Sequence, residues 1–145
     1  MRAELRISAF HELDAGTLYA ILKLRADVFV VEQRCFYADI DGRDTEPDTR
    51  HLWFSSNGQI VSYLRILDEG DRARIGRVAT TPAARGVGLA GRLVEAALGV
   101  LGDRPSVLDA QAHLVDFYAT HGYRQIGPEY LEDGIPHVPM LRAGG

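Results

Sequence analysis

Only one cysteine, Cys35, occurs among the 145 residues of this chain, so no intrachain disulfide can form and no cysteine-built zinc cluster is available. Long apolar runs are missing as well. The longest aliphatic or aromatic stretch, Val28-Phe29-Val30-Val31, falls far short of the roughly 20 apolar residues that a membrane span requires. No apolar h-region follows Met1-Arg2-Ala3-Glu4-Leu5, so a secretory signal is not expected, and a cytoplasmic protein free of the membrane is the simplest expectation. Positive charge is not in excess: 16 basic against 20 acidic side chains leave a formal net charge of −4, which disfavours nucleic acid as a partner held by bulk charge. What is present is ordinary globular composition, 46% hydrophobic and 25% charged, which excludes a disordered or collagen-like chain. The length suits one domain, 1–145, able to bury about two-thirds of the unfolded chain's surface. No internal repeat, low-complexity tract or linker interrupts it.

Periodicity supplies the order of elements. Glu4 to Phe10 alternates as a first strand, and Asp14 offers an N-cap for a helix whose core face would be Leu18, Ile21, Leu22, Ala26 and Phe29. The β-branched run Val28 to Val31 leaves the end of that helix open. From Tyr37 to Arg50, Asp39, Asp41, Asp44, Glu46 and Asp48 crowd around Pro47 in a long acidic loop, and long loops in compact domains are often functional. Arg43 stands where a calcium loop needs an oxygen ligand, so calcium is not expected; the loop's charge would instead attract a cationic amine. His51–Ser55 and Gln59–Leu67 flank Asn57-Gly58, a tight hairpin turn. A second turn at Asp68-Glu69-Gly70-Asp71 leads to a third strand, Ala73–Thr80, and Pro82 closes this antiparallel meander. Leu89, Leu93, Ala96, Ala97 and Val100 then mark an amphipathic helix stopped near Gly102 and Pro105. Val107-Leu108 supplies a short buried strand. Leu114, Phe117, Tyr118 and His121 share a face of a short helix ended by Gly122, and the tail adds strands around 123–126 and 137–141. Strands bracketing helices on a mixed sheet make this an α/β or α+β domain.

The segment Arg85-Gly86-Val87-Gly88-Leu89-Ala90-Gly91, between a strand and a helix, suits a phosphate. The first N–H groups of a helix lack intrahelical partners, the dipole puts partial positive charge there, glycines admit close approach, and Arg85 adds a fixed charge. Gly86-x-Gly88-x-x-Gly91 also satisfies a dinucleotide fingerprint, with Asp109 near the distance of a ribose-binding acid. That reading, an oxidoreductase, is disfavoured, because Thr80 to Arg85 intervene before the first glycine and too little chain follows Asp109 for a second half. A Walker loop fails for want of Gly-Lys-Ser/Thr. The bland alternative is that Gly88 and Gly91 merely let a helix pack closely.

In company with the rest of the chain, these residues resemble a family. Arg85-Gly86-Val87-Gly88-Leu89-Ala90 fits the Arg/Gln-x-x-Gly-x-Gly/Ala loop of the GNAT superfamily of acetyl-CoA-dependent N-acetyltransferases, and Tyr118-Ala119-Thr120-His121-Gly122-Tyr123 resembles its Tyr-x-x-x-Gly-Phe/Tyr element. More narrowly, Leu24 to Gln33, Asp39-Ile40-Asp41-Gly42, Asp48-Thr49-Arg50-His51, Ala110 to Leu114 and Glu132 to His137 resemble the ElaA-like branch. The likeness covers roughly Leu18 to Met140. It implies a mainly antiparallel mixed sheet flanked by helices, with the cofactor lying where two neighbouring strands splay apart.

Carried over by position, the resemblance implies that the main chain of Val78, Ala79 and Thr80 bonds the pantetheine arm and that Arg85, Gly86, Val87, Gly88, Leu89 and Ala90 hold the pyrophosphate. Gln111 would stand at a cofactor-contacting position where the superfamily more often has asparagine. Acetyl-CoA is then the co-substrate, with no metal, and the partner is an amine-bearing small molecule or peptide; a homodimer stays open. Because an alkyl amine of pKa about 10.4 is mostly protonated at neutral pH, unmasking it costs about 4 to 5 kcal/mol, so a base is needed near the acceptor. Glu32, at the end of the first helix, is the first candidate, with His113 and His137 as alternatives. Tyr118 matches the superfamily's general acid for the leaving thiolate. The second reading is a catalytically silent CoA-binding sensor or interaction module that kept the phosphate loop.

Overall fold

Asn57 and Gly58 both adopt left-handed backbone, at φ 51° and 75°, the pair of dihedrals that matches strand twist in a two-residue hairpin. They join β2 (Arg50–Ser56) to β3 (Gln59–Asp68), and β4 (Ala73–Thr80) extends the expected meander, while β1 (Glu4–Ser8) adds antiparallel to the outer edge of β2. The computed structural model describes residues 2–144.

Helix α1 (Ala15–Arg25) starts where Asp14 accepts the Thr17 N–H at 2.6 Å, satisfying one of the unpaired first-turn donors. It does not end at the β-branched run. It widens into a π-helical segment, Ala26–Glu32, in which Gln33 N–H bonds Val28 O. The core face also differs from the expected one: Ile21, Leu24, Arg25 and Val28 are buried, Leu18, Leu22 and Phe29 are half-buried, and Ala26 is exposed. Hydropathy assigns Arg25 to solvent, but carboxylates from the following loop meet it inside.

Helix α2 (Leu89–Leu101) buries Leu89, Leu93, Val94 and Ala97. Val100, expected on that face, is exposed, and Leu98 and Leu101 of the last turn pack against the core instead. Strand β5 (Ser106–Gln111), helix α3 (Val115–Ala119) and strands β6 (Arg124–Gln125), β7 (Tyr130–Glu132) and β8 (Ile135–Arg142) complete the chain. The sheet order is β1-β2-β3-β4-β5-β8-β6, with β7 also on β8. All pairings are antiparallel except β4 with β5. Tyr63 and Leu64, neighbours on β3, face opposite cores: Tyr63 packs with Ile21, Leu24 and Val28 under α1, Leu64 with Leu93 and Val94 under α2. Helices therefore cover both faces of a mostly antiparallel mixed sheet, as expected. No helix among the described residues is long and apolar enough to cross a membrane.

Candidate functional site

Strands β4 and β5 are paired only at Ala73↔Ser106 and Arg74↔Val107, and then diverge. Past that point the β4 edge facing β5 has no ladder partner. The β3–β4 register also shifts near Arg77, which sits at φ 55°, a bulge of the kind that redirects a strand. Between the diverging strands lies a cavity of about 630 Å3, bordered by Val78, Ala79 and Thr80 of β4, Gln111 of β5, Phe29 and Glu32 of the π-helical segment, Arg85, Ala90 and Tyr118. An edge of unpaired main chain alongside a cavity of this size suits an extended amide-bearing ligand.

The glycine loop ends beside this cavity. Gly86 and Gly88 have φ 81° and 82°, and Gly88 caps α2 with no side chain bonding the first-turn amides. A Cβ at either glycine would meet nothing within 4 Å, so the dihedral angle and not crowding calls for glycine there. Close packing does apply at Gly91, where a Cβ would touch Phe117 at 3.6 Å and His121 at 3.7 Å. The Leu89 side chain goes into the core, leaving only its main chain for an anion. Gly86 and Val87 do not border the cavity, and Gly88 borders a separate hollow of about 500 Å3 with Phe54 and Arg92.

Arg85 donates through Nε to Thr80 O at 3.0 Å and through both terminal nitrogens to Glu32, each at 2.6 Å. The guanidinium holds the Glu32 carboxyl below its ordinary range, so Glu32 is a weaker proton acceptor than a free glutamate. Tyr118 is buried on the cavity wall with its ring edge-on to Phe117 and Tyr123. Burial, reinforced by Tyr123, pushes its hydroxyl up to about 12. Gln111 donates to Gln33 Oε1 at 3.1 Å. His113 lies exposed at the cavity rim, and His137 borders the cavity with Nδ1 2.7 Å from Ile135 O.

The acidic loop corrects an expectation. Asp39, Asp41 and Asp44 do not present free charge to an amine, because three arginines consume them. Arg25 meets Asp39 at 3.1 Å and Asp44 at 2.7 Å, Arg65 meets Asp41 at 2.5 Å and Asp44 at 3.0 Å, and Arg77 meets Asp39 at 2.8 Å and Asp41 at 3.3 Å. Burial works against ionised Asp41 and Asp44, but hydrogen bonds from Arg65 and Arg25 outweigh it and hold both carboxyls below the usual range. Arg65 and Arg77 also border the cavity, as does Tyr37, whose ring lies 5.1 Å from the Arg77 guanidinium. Sequence reasoning missed this wall, since neither the bulge at Arg77 nor the burial of Arg65 leaves a mark in hydropathy. Among the described residues no group of three His, Cys, Asp or Glu is placed to hold a metal ion.

Comparison with known proteins is consistent with this geometry. The profile of the acetyltransferase (GNAT) domain matches residues 22–142. The UPF0039 protein Rv2851c of Mycobacterium tuberculosis is 51% identical over 138 residues, spanning 92% of this chain and 88% of that protein. Among solved structures, an acyl-CoA N-acyltransferase from Pseudomonas aeruginosa superposes with TM-score 0.94 at 42% identity, covering 98% of this chain and 100% of its own. Escherichia coli ElaA superposes with TM-score 0.92 at 40% identity, covering 97% and 99%.

Proposed function

Because this chain belongs to the GNAT acetyltransferase family, we propose that it transfers the acetyl group of acetyl-CoA directly to a primary amine on a small molecule or peptide. The observation that carries this reading is the divergence of β4 from β5, which opens one cavity bordered by both Arg85 and the buried Tyr118.

The β5-facing edge of β4 at Val78, Ala79 and Thr80 would bond the pantetheine arm through its main chain. The amides from Gly86 to Ala90, together with Arg85, would hold the diphosphate, as helix N-termini preceded by glycines do. A backbone N–H at Val78 would steady the charge that gathers on the thioester oxygen without any special side chain. Gln111 would orient the arm from the facing strand.

Tyr118 faces the leaving thiolate in this scheme. With its hydroxyl near 12 against an ordinary thiol at about 8.5, complete proton transfer would be uphill by roughly 4 to 5 kcal/mol. Tyr118 therefore serves as a hydrogen-bond donor that makes the thiolate a better leaving group, and the proton itself comes from the amine.

The test is to incubate the protein with acetyl-CoA and a panel of primary amines and to follow thiol release. Turnover with at least one amine is expected, and Tyr118→Phe should lower kcat at least ten-fold while leaving acetyl-CoA affinity nearly unchanged. Silence across a broad panel with acetyl-CoA still tightly bound would mark a CoA-binding module instead.

A further inference from the structure

We propose that His137 is the catalytic base that receives the acceptor's proton, with Glu132 stabilising the resulting imidazolium; the inference rests on the acyl-transfer reading above.

The chain has five histidines, and of these His113 and His137 border the cavity. His51 is fully buried with both nitrogens engaged, Nδ1 with Tyr63 at 2.6 Å and Nε2 with Asp44 O at 3.0 Å. His121 is tied to Glu95 at 2.5 Å and borders the other hollow. His113 is exposed, and its ring makes no hydrogen bond among the described residues.

His137 differs from all of these. Its Nδ1 lies 2.7 Å from Ile135 O, and a carbonyl can only accept, so the proton resides on Nδ1 and the neutral ring carries its lone pair on Nε2. Nε2 makes no hydrogen bond among the described residues; the carboxylate near it is Glu132 Oε2 at 3.9 Å. The ring stacks on Tyr130 at 5.9 Å, and the residue is pinned between two strands, opposite Gln111 on β5 and Tyr130 on β7. A base held in one tautomer between two strands, on a residue that borders the cavity and with one ring nitrogen free, has the preorganisation that proton abstraction needs.

Two of the other carboxylates that border the cavity, Glu32 and Asp109, are occupied. Arg85 holds both oxygens of Glu32, and Arg74 meets Asp109 at 2.6 Å. Tyr130 on β7 stacks on the His137 ring, and the charged and titratable groups that share its cavity include Glu132 on β7, Asp133 in the turn, Asp109 on β5, Cys35 and the guanidinium groups of Arg65, Arg74, Arg77 and Arg85. Glu132 and Asp133 have no arginine partner among the described residues, and Glu132 is the carboxylate that comes within 3.9 Å of Nε2. An acceptor entering as an ammonium ion would pass one proton to Nε2. The freed amine nitrogen then attacks the thioester carbon, the C–N bond forms, and the C–S bond breaks with its electron pair leaving on sulfur. The second nitrogen proton goes to that thiolate, which Tyr118 bonds, giving amide and free thiol; imidazolium sheds its proton to water.

The experiment measures kcat/KM against pH for the wild-type chain, His137→Gln and His137→Ala, with acetyl-CoA and an amine that the panel shows to be turned over. Loss of about a hundred-fold or more in kcat is expected for both variants, together with loss of the acidic limb of the profile and unchanged acetyl-CoA affinity. Added imidazole should restore part of the His137→Ala rate, which a misfolded variant would not allow. The deficit should also shrink for a weakly basic aromatic amine that arrives already neutral. Wild-type activity with His137→Gln within two-fold of it and the acidic limb intact would overturn the base assignment while leaving acyl transfer standing. An inactive wild-type chain would overturn the acyl-transfer reading and the base with it.

Discussion

Gly88 and Gly91 are alike as letters and unlike as residues. At Gly88 a side chain would find open space but would be forced to φ 82°, a left-handed conformation that costs an L-residue about 1–2 kcal/mol. Gly88→Ala should therefore lower the unfolding free energy by that amount and weaken CoA binding by disturbing the first amides of α2, as thermal unfolding and calorimetry would read. Gly91→Ala adds a methyl group at ordinary contact distance from Phe117 and His121, 3.6 and 3.7 Å. Helix propensity favours it by up to about 1 kcal/mol, so stability should hold or rise. His51 carries a pH prediction. Burial first, then the Arg25 and Arg65 charges, keep it below the ordinary histidine value of 6.5 despite its bond to Asp44 O. The folded state then binds fewer protons than the unfolded one as pH drops below about 6.5, so stability must fall there. Urea midpoints measured between pH 7 and 5 should fall in the wild type and stay flatter in His51→Gln. Motif spacing makes Gly88 legible. The burial of His51 is not legible, because its partners Tyr63 and Asp44 stand 12 and 7 residues away, on another strand and in an irregular loop.

At the scale of elements, the π-helical segment Ala26–Glu32 is strapped to the glycine loop by the Glu32–Arg85 pair, which is about two-fifths exposed on each side. Glu32→Gln should release Arg85 toward a diphosphate and tighten CoA binding a few-fold, with little change in stability since exposed pairs contribute little. Unchanged affinity by calorimetry would mean that the pair persists when CoA binds. The β-branched run Val28–Val31 signals that a normal helix is unfavourable there, but not that the chain continues with a wider turn. The β7–β8 hairpin was also invisible, although Asp133 and Gly134 repeat the left-handed pair of the first hairpin at φ 51° and 75°. Its strand β7 is exposed throughout, so it shows none of the largely apolar run that marks β2 and β3.

Across the whole molecule, Arg25, Arg65 and Arg77 join α1, β3 and β4 to the loop that carries Asp39, Asp41 and Asp44. Removing one partner of a buried ion pair leaves charge uncompensated at a cost of about 3–5 kcal/mol. Asp44→Asn should therefore destabilise the protein by that order in chemical denaturation, while Asp48→Asn, on an exposed residue of the same loop, should change little. Asp41 and Asp44 are held below the ordinary carboxyl value of 3.8, so the network's contribution is present above that pH and is lost as pH falls below it. Local signals in the chain determined the order of elements, the first hairpin, the caps of both long helices and the glycine loop, because propensity, periodicity and dihedral preference act within a turn or a strand. Tertiary structure alone decided where β4 leaves β5, which carboxylates are spent on arginines and which imidazole nitrogen stays free. Charges find their partners through space: Glu32 and Arg85 are 53 residues apart and Asp41 and Arg65 are 24 apart, separations over which no local pattern in a sequence reports.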